Sequence, residues 1–583
     1  MYKFTALKIL EIMAIRTIIK FLFLTTLFSG CGLVGIYFSI HNPKSEGKYK
    51  TSKDDILLGN LTELKTCYDV LHYDIAVQLF PHNKTIKGKV IMKAIAVNDF
   101  NKLQIDLHPN LKIESFTING ENVVYKRNHS AIEVELKNTI QKNQNFTSII
   151  SYSGKPVEAN RPPWDGGTVW KKDANKKPYL GVACEGLNNG SSLWWPGKDH
   201  SSDEPDSFAI AITGPRGLVG VSNGVLEKVD SVSIPDSTTW FWKNHYKINS
   251  YNITYYLGDF KLLKDSMKSA EGMLPMNHYV LSYNYEKAKI HFQQVKKIIL
   301  FYEKKFGPYP WFKDGFKLVE SPFAGMEHQS AIAYGNGYKN QDHSTDYIIL
   351  HETAHEWWGN SVSAADLAHG WIHEGFATYC EALFYEEIAG KSAYESKLAY
   401  DRWFIKNSRP VVKPMNMRWF YYKDSDMYMK GTWILATMRT LINNDALFFD
   451  ILKTFYMENQ RKEILTDVLQ KLVEQKTGAD WDWFFNQYLY SRKTPILEWC
   501  IDDSANLYYR WIDANDDFVM PIKYSPSFIA SDANRNWVKL SPSKEIKKTK
   551  MLINASFVSF DNNEKLYGAY KNNKLIKLFE KQK

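Results

Sequence analysis

Cysteine is scarce in this chain: five residues among 583, at positions 31, 67, 184, 380 and 500. So thin a set cannot staple a protein of this size, although one pair could close in an oxidising compartment. No Cys-x-x-Cys pair occurs, which argues against a cysteine-clamped structural metal module. Blocks of like charge are missing too. The net charge of +9 is the difference between 73 Lys and Arg and 64 Asp and Glu. Because the two signs are interspersed, a nucleic-acid-binding face is not expected. There is no internal repeat, and the Asn/Lys bias does not collapse into low-complexity runs. What the chain has in quantity is apolar and aromatic: 44% and 15% of residues. That composition excludes a disordered chain, and the length exceeds what one hydrophobic core supports.

One long apolar run stands near the start. Phe21 to Ile40 is twenty residues without a charge, preceded by Lys8, Arg16 and Lys20 and followed by polar His41-Asn42-Pro43-Lys44. It is long enough to cross a bilayer, and the basic lead favours export of the downstream chain. Three readings stay open. The run is a signal-anchor helix, a lipoprotein signal acylated on Cys31 after Leu27-Phe28-Ser29-Gly30, or a cleaved signal peptide without a clear A-x-A site. Each places the rest of the chain on the periplasmic or extracellular face, and the first two attach it to the membrane. Met13 is an alternative start.

The rest divides by period. Residues 1–45 hold the signal segment and 46–63 read as a polar tether without apolar periodicity. From 64 to 262 short alternating strands recur, as in Tyr73-Asp74-Ile75-Ala76-Val77-Gln78-Leu79-Phe80, which predicts an all-β domain. From 263 to 495 the period becomes mainly helical. Glu286 to Phe306 is expected to form one amphipathic helix with Ile290, Val295, Ile298, Ile299, Tyr302 and Phe306 on or near its apolar side. Strand patterns return over 496–583. The predicted fold class is multidomain α+β.

The chemistry concentrates at His351-Glu352-Thr353-Ala354-His355. Residues four apart share a helix face, so His351 and His355 can offer two imidazole nitrogens to one cation. Catalytic zinc takes three protein ligands and leaves a fourth position open. Glu374, nineteen residues after His355 in Trp371-Ile372-His373-Glu374-Gly375, is placed to be the third, brought back on a second helix. Glu352 is offset around the helix, where it reaches a water without binding the ion, the position of a general base. One Zn²⁺ per chain is expected.

Together with three further segments, this stretch resembles the aminopeptidase N family of zinc peptidases (peptidase family M1, gluzincins). Gly325-Met326-Glu327-His328 is similar to the family's Gly-x-Met-Glu-Asn. The resemblance implies that Glu327 binds the substrate's free α-amino group and that Gly325 and Met326 pair with its backbone; His328 departs from the pattern. Tyr428-Met429-Lys430-Gly431 resembles Tyr-x-Lys-Gly, whose Tyr hydroxyl donates to the oxyanion. In Cys184-Glu185-Gly186, Glu185 takes the place of a Gln or Glu that helps hold the amine. Glu381 resembles a position that orients a ligating His, with a plain surface acid as the alternative.

The resemblance implies a β-domain, a thermolysin-like catalytic domain and a small C-terminal β-domain. The expected activity is removal of N-terminal residues from peptides with a free N-terminus. The rivals are an endopeptidase or an epoxide hydrolase on the same scaffold, and a non-catalytic binding protein.

Overall fold

A computed structural model describes residues 52–183, 190–416, 425–526, 536–551 and 558–582. The fold is multidomain α+β. Strict alternation builds the first part: within Tyr68–Phe80, the side chains of Ile75, Val77 and Leu79 point inward and are buried. An eight-stranded sheet runs in the order Val225–Asp230, Ser237–Asn244, Ser207–Pro215, Tyr68–Phe80, Thr85–Ala96, Asn145–Gly154, Leu111–Ile118, Glu121–Asn122. Tyr68–Phe80 and Ser207–Pro215 are parallel; the other neighbours are antiparallel. Its core is aromatic, with Tyr73 edge-on to Trp195 and Trp194 edge-on to Tyr255.

The expected tether is partly structured. Lys53–Gly59 and Glu63–Thr66 are helical. A capping box explains the first: Ser52 Oγ accepts from the Asp55 amide at 3.0 Å, and Asp55 accepts from the Ser52 amide at 2.7 Å. Lys65 then reaches inward, donating to the Leu58 carbonyl and pairing with buried Asp106. A four-residue signal of this kind carries no apolar period, which is why composition hides it.

A second sheet carries the functional region. It comprises β1 (Phe260–Ser269), β2 (Gly272–Leu281), β3 (Leu318–Glu320), β4 (Gly325–Met326) and β5 (Ile332–Tyr334), in the order β1-β2-β3-β5-β4. Strand β1 straddles the boundary expected at 262/263. The short β4 is an edge strand, antiparallel to β5.

The single helix expected over Glu286–Phe306 is two: α1 (Tyr285–His291) and α2 (Gln294–Lys305). The break falls at Phe292, whose buried ring packs edge-on against Tyr334 at 5.1 Å. Anchoring Phe292 re-aims the chain, and Ile290, assigned to the apolar side, is 78% exposed. The helical region continues with α3 (Tyr347–Ala354), α4 (Trp371–Ala389), α5 (Lys391–Trp403) and α6 (Asp426–Ile442). Val362–Ala364 and Lys462–Ile464 interrupt it as a short parallel pair.

The C-terminal part holds a four-stranded and a three-stranded sheet and ends in the helix Leu575–Gln582. It shares one apolar core with the helical region. Tyr488 Oη donates to the Leu566 carbonyl at 2.6 Å, and the Arg402 guanidinium donates to the carbonyls of Asn562 and Tyr567. Cys67, Cys380 and Cys500 are buried free thiols. Among the described residues no helix is long and apolar enough to cross a membrane; Phe21 to Ile40 lies outside them.

Candidate active site

Asp346 starts α3 by accepting from the Ile348 amide at 3.1 Å. Its carboxylate is fixed in turn by the Tyr334 hydroxyl and the Asn336 amide. One turn and a half later the helix presents His351, and His355 follows at its C-terminal cap. The chain then turns at Gly359, where φ is +118°. A β-carbon there would sit 3.2 Å from both His355 Nδ1 and the His373 ring, so glycine is required for backbone and for space.

His351 Nε2, His355 Nε2 and Glu374 Oε2 form a triangle with edges of 3.1, 3.4 and 3.4 Å. The other nitrogen of each ring is committed. His355 Nδ1 donates to the Trp358 carbonyl at 2.9 Å, and His351 Nδ1 donates to Glu381 Oε1 at 2.8 Å. A carbonyl can only accept, so the Nε2 of His355 turns a lone pair inward, and the Glu381 carboxylate sets His351 the same way. Burial opposes a charge on either imidazole. Glu374, joined by Glu381 at His351 and by Glu327 at His355, outweighs it and holds both more basic than usual. Three lone pairs facing one another in a buried site call for a positive charge between them. Four ligands at about 2.0–2.1 Å in a tetrahedron lie about 3.3–3.4 Å apart. The triangle has that size, and the residues fit a divalent cation with a two-imidazole, one-carboxylate donor set.

Two further acids complete the floor. Donor atoms of Glu327, Glu352 and His355 all lie within 4.8 Å of one another. Burial pushes the Glu352 carboxyl up to about 8, against the pull of His351 and His355, with Glu327 and Glu374 adding to the rise. Burial likewise raises Glu327, while the Tyr251 hydroxyl donates to its Oε1 at 3.1 Å. The backbone of Glu327 is held as well. Asn360 Nδ2 donates to its carbonyl at 2.7 Å, and Asn252 Nδ2 supports Asn360 at 2.8 Å. Asn223 Nδ2 donates to the Gln329 carbonyl at 2.7 Å. Tyr251, Asn252 and Asn223 come from the N-terminal β-domain. His328 is buried, its Nδ1 2.7 Å from the Tyr256 hydroxyl. Since that hydroxyl donates to the Ala331 carbonyl at 2.9 Å, the imidazole is the donor to it.

The glycines of the two motifs have separate explanations. At Gly325 a β-carbon would lie 2.5 Å from Glu352 Oε1 and 2.9 Å from Ile348 Cγ2. Gly325→Ala therefore displaces Glu352 and presses on buried Ile348. The expected result is at least about a tenfold fall in kcat in protein that still folds, with a smaller fall in Tm, measured by steady-state kinetics and thermal denaturation; even small misplacements of reacting groups are costly. At Gly431 a β-carbon would meet Gly375 Cα at 2.8 Å. These two glycines let α6 cross close over α4, which brings the Tyr428 ring alongside His351, centroids 6.3 Å apart and 23° from parallel. Buried Lys430 donates to the carbonyls of Ser491 and Arg492 and ties α6 to the end of the helical region.

Residues 290–488 match the peptidase family M1 domain. That stretch is an M1 peptidase domain. It is 26% identical over 222 residues to leucine aminopeptidase 2 of Lodderomyces elongisporus, covering 37% of this chain and 32% of that protein. It is 21% identical over 503 residues to mouse endoplasmic reticulum aminopeptidase 1, covering 79% and 52%. The chain thus spans about a third to a half of the length of these curated relatives. Its fold resembles a solved M1 zinc metallopeptidase from Deinococcus radiodurans, with a TM-score of 0.63 at 20% identity, covering 73% of this chain and 95% of that one.

Of the sequence-predicted residues, the structure brings together His351, His355, Glu374, Glu352, Glu327, Gly325, Tyr428 and Glu381, with Met326 next to Gly325 on β4. Glu185 lies outside the described residues. Sequence reasoning missed Tyr251, Asn252 and Asn360. Asn360 closes the Trp357-Trp358-Gly359-Asn360 run that follows the metal helix, the one signal available for it. Tyr251 carries no spacing that distinguishes it among 35 tyrosines, and Asn252 stands in no motif.

Proposed function

We propose that the chain is a zinc-dependent aminopeptidase that hydrolyses the first peptide bond of peptides with a free N-terminus. The observation that carries this reading is the convergence of Glu327 with Glu352 and His355, directly beside the three-donor triangle. His351, His355 and Glu374 would hold the zinc. When bound, the ion supplies a Lewis acid that polarises a carbonyl and acidifies a water.

The protein's own residues supply the rest. Glu327, buried and fixed by Tyr251, accepts the ammonium of the substrate in a charge-assisted bond. That contact sets how far the first peptide bond reaches past β4. The unpaired side of β4 offers Gly325 and Met326 main-chain groups to an extended substrate, as an added strand. Glu352 takes a proton from the attacking water and returns it to the leaving amine. Tyr428 donates its hydroxyl to the developing oxyanion. Glu381 keeps the His351 ring turned toward the ion. Glu185 is assigned to the amine-binding end on resemblance alone. An endopeptidase or an epoxide hydrolase has no need of an acid placed to receive a terminal amine, and a non-catalytic binding protein none of a poised Glu352.

The apolar run Phe21 to Ile40, with its basic lead, supports export and attachment to the membrane. The catalytic region then works on the periplasmic or extracellular side.

A panel of aminoacyl-coumarin substrates, free and N-acetylated, tests the activity with and without a zinc chelator. The expected result is turnover of free substrates alone, lost on chelation and restored by zinc. Equal turnover of acetylated substrates would remove the exopeptidase reading. Turnover that survives full chelation would remove the zinc reading.

A further inference from the structure

Beyond the ligands and Glu381, two groups of α5 connect to the metal triangle through a chain of buried contacts. Glu381 accepts from His351 Nδ1 through Oε1 at 2.8 Å, and its Oε2 lies 3.2 Å from Lys397 Nζ. Lys397 Nζ also donates to both oxygens of Asp401, at 2.6 and 2.8 Å. None of the three is solvated: the side chains of Glu381 and Lys397 are 6% exposed and that of Asp401 not at all. Lys397 and Asp401 stand one turn apart on α5, which packs against α4, the helix of Glu374 and Glu381.

We propose that Lys397 is a positioning residue for the metal site, gripping Oε2 of Glu381 so that Oε1 stays aimed at His351 Nδ1 and the ring keeps its Nε2 turned to the ion. A glutamate side chain has free rotation about its terminal torsion, and one hydrogen bond to His351 leaves the second oxygen unheld. An ammonium on that oxygen removes the freedom. Asp401 fixes the ammonium in turn, because a lone Lys on a four-carbon stem is itself mobile. A burial this complete is costly for three charged groups unless each has a partner. Every link here is satisfied, and α5 serves as a buttress behind the metal helix.

The inference rests on His351 being a metal ligand. Its test is zinc and cobalt binding, independent of turnover. Lys397→Met and the double variant K397M/D401N are compared with the wild-type protein. The double variant removes the buried ion pair as a unit and leaves no unmatched carboxylate on α5, so it covers the case in which K397M does not fold. Zinc affinity is measured by competition with a metallochromic chelator, and the Co²⁺-substituted proteins are compared by visible absorption.

The expected outcome is roughly a tenfold or greater loss of zinc affinity in the variants, within the range seen when partners of metal-binding His are removed, and a changed Co²⁺ spectrum. General destabilisation alone lowers the apo Tm but leaves that spectrum as in the wild type. Folded variants with wild-type zinc affinity and an unchanged Co²⁺ spectrum overturn the proposal and leave the assigned activity standing. A wild-type protein that binds neither metal overturns both.

Discussion

Exchange of Glu352 for Gln is expected to lower kcat by about 10²- to 10⁴-fold, the range for loss of a positioned general base. The replacement is close to isosteric, and Glu352 is not a member of the 3.1–3.4 Å triangle. Zinc content, measured by elemental analysis, should therefore equal that of the wild type. KM should change little, because Glu352 acts in the proton transfers and does not hold the substrate in the ground state. Glu352 is buried among His351, His355, Glu327 and Glu374. Glu327 and Glu374, the acids grouped with it, are buried too. A variant that keeps a tenth of wild-type kcat with full zinc occupancy would show that the proton travels by another route.

Exchange of Glu327 for Gln has the second largest expected effect, and a different signature. A buried carboxylate matched to an ammonium loses about 3–4 kcal/mol when its charge is removed, which is roughly 10²- to 10³-fold in kcat/KM. The loss should fall on substrates with a free amine and narrow the gap to their N-acetylated counterparts. Selectivity, more than rate on blocked peptides, is the quantity to follow. If free and acetylated substrates kept their wild-type ratio in the variant, the amine would be recognised elsewhere. Glu327 would then be a structural partner of Tyr251 alone.

How much of this was legible in the sequence depends on whether function sits in local spacing or in long-range packing. His351, Glu352 and His355 follow from helix geometry. Glu374 follows from the room needed to turn back, whereas Glu381, two turns further on α4, rested on resemblance with a plain surface acid as the alternative. Glu327 came through resemblance, and the structure adds what holds it. The hydroxyl of Tyr251 and the amides of Asn252 and Asn223 arrive from another domain, and no periodicity connects them to residue 327. Lys397 is hidden for a similar reason: it reads as a basic residue on an amphipathic helix until α5 is folded against α4.

The failed elements are local in origin. Ile290 continued an apolar stripe on paper, but the buried ring of Phe292 breaks the helix between the two segments. The capping box at Ser52 and Asp55 made a helix where composition suggested a tether.

The segment bearing Glu327 is strapped down by Tyr251, Asn252 and Asn223, whereas the cation-holding triangle belongs to α3 and α4. The gauge that measures a substrate's end is thus braced in part from outside the helices that carry the blade. Loosening that brace, by Asn252→Ala or by mild denaturant, would leave the blade sharp and the gauge adrift. The enzyme would grow less discriminating before it grew slow.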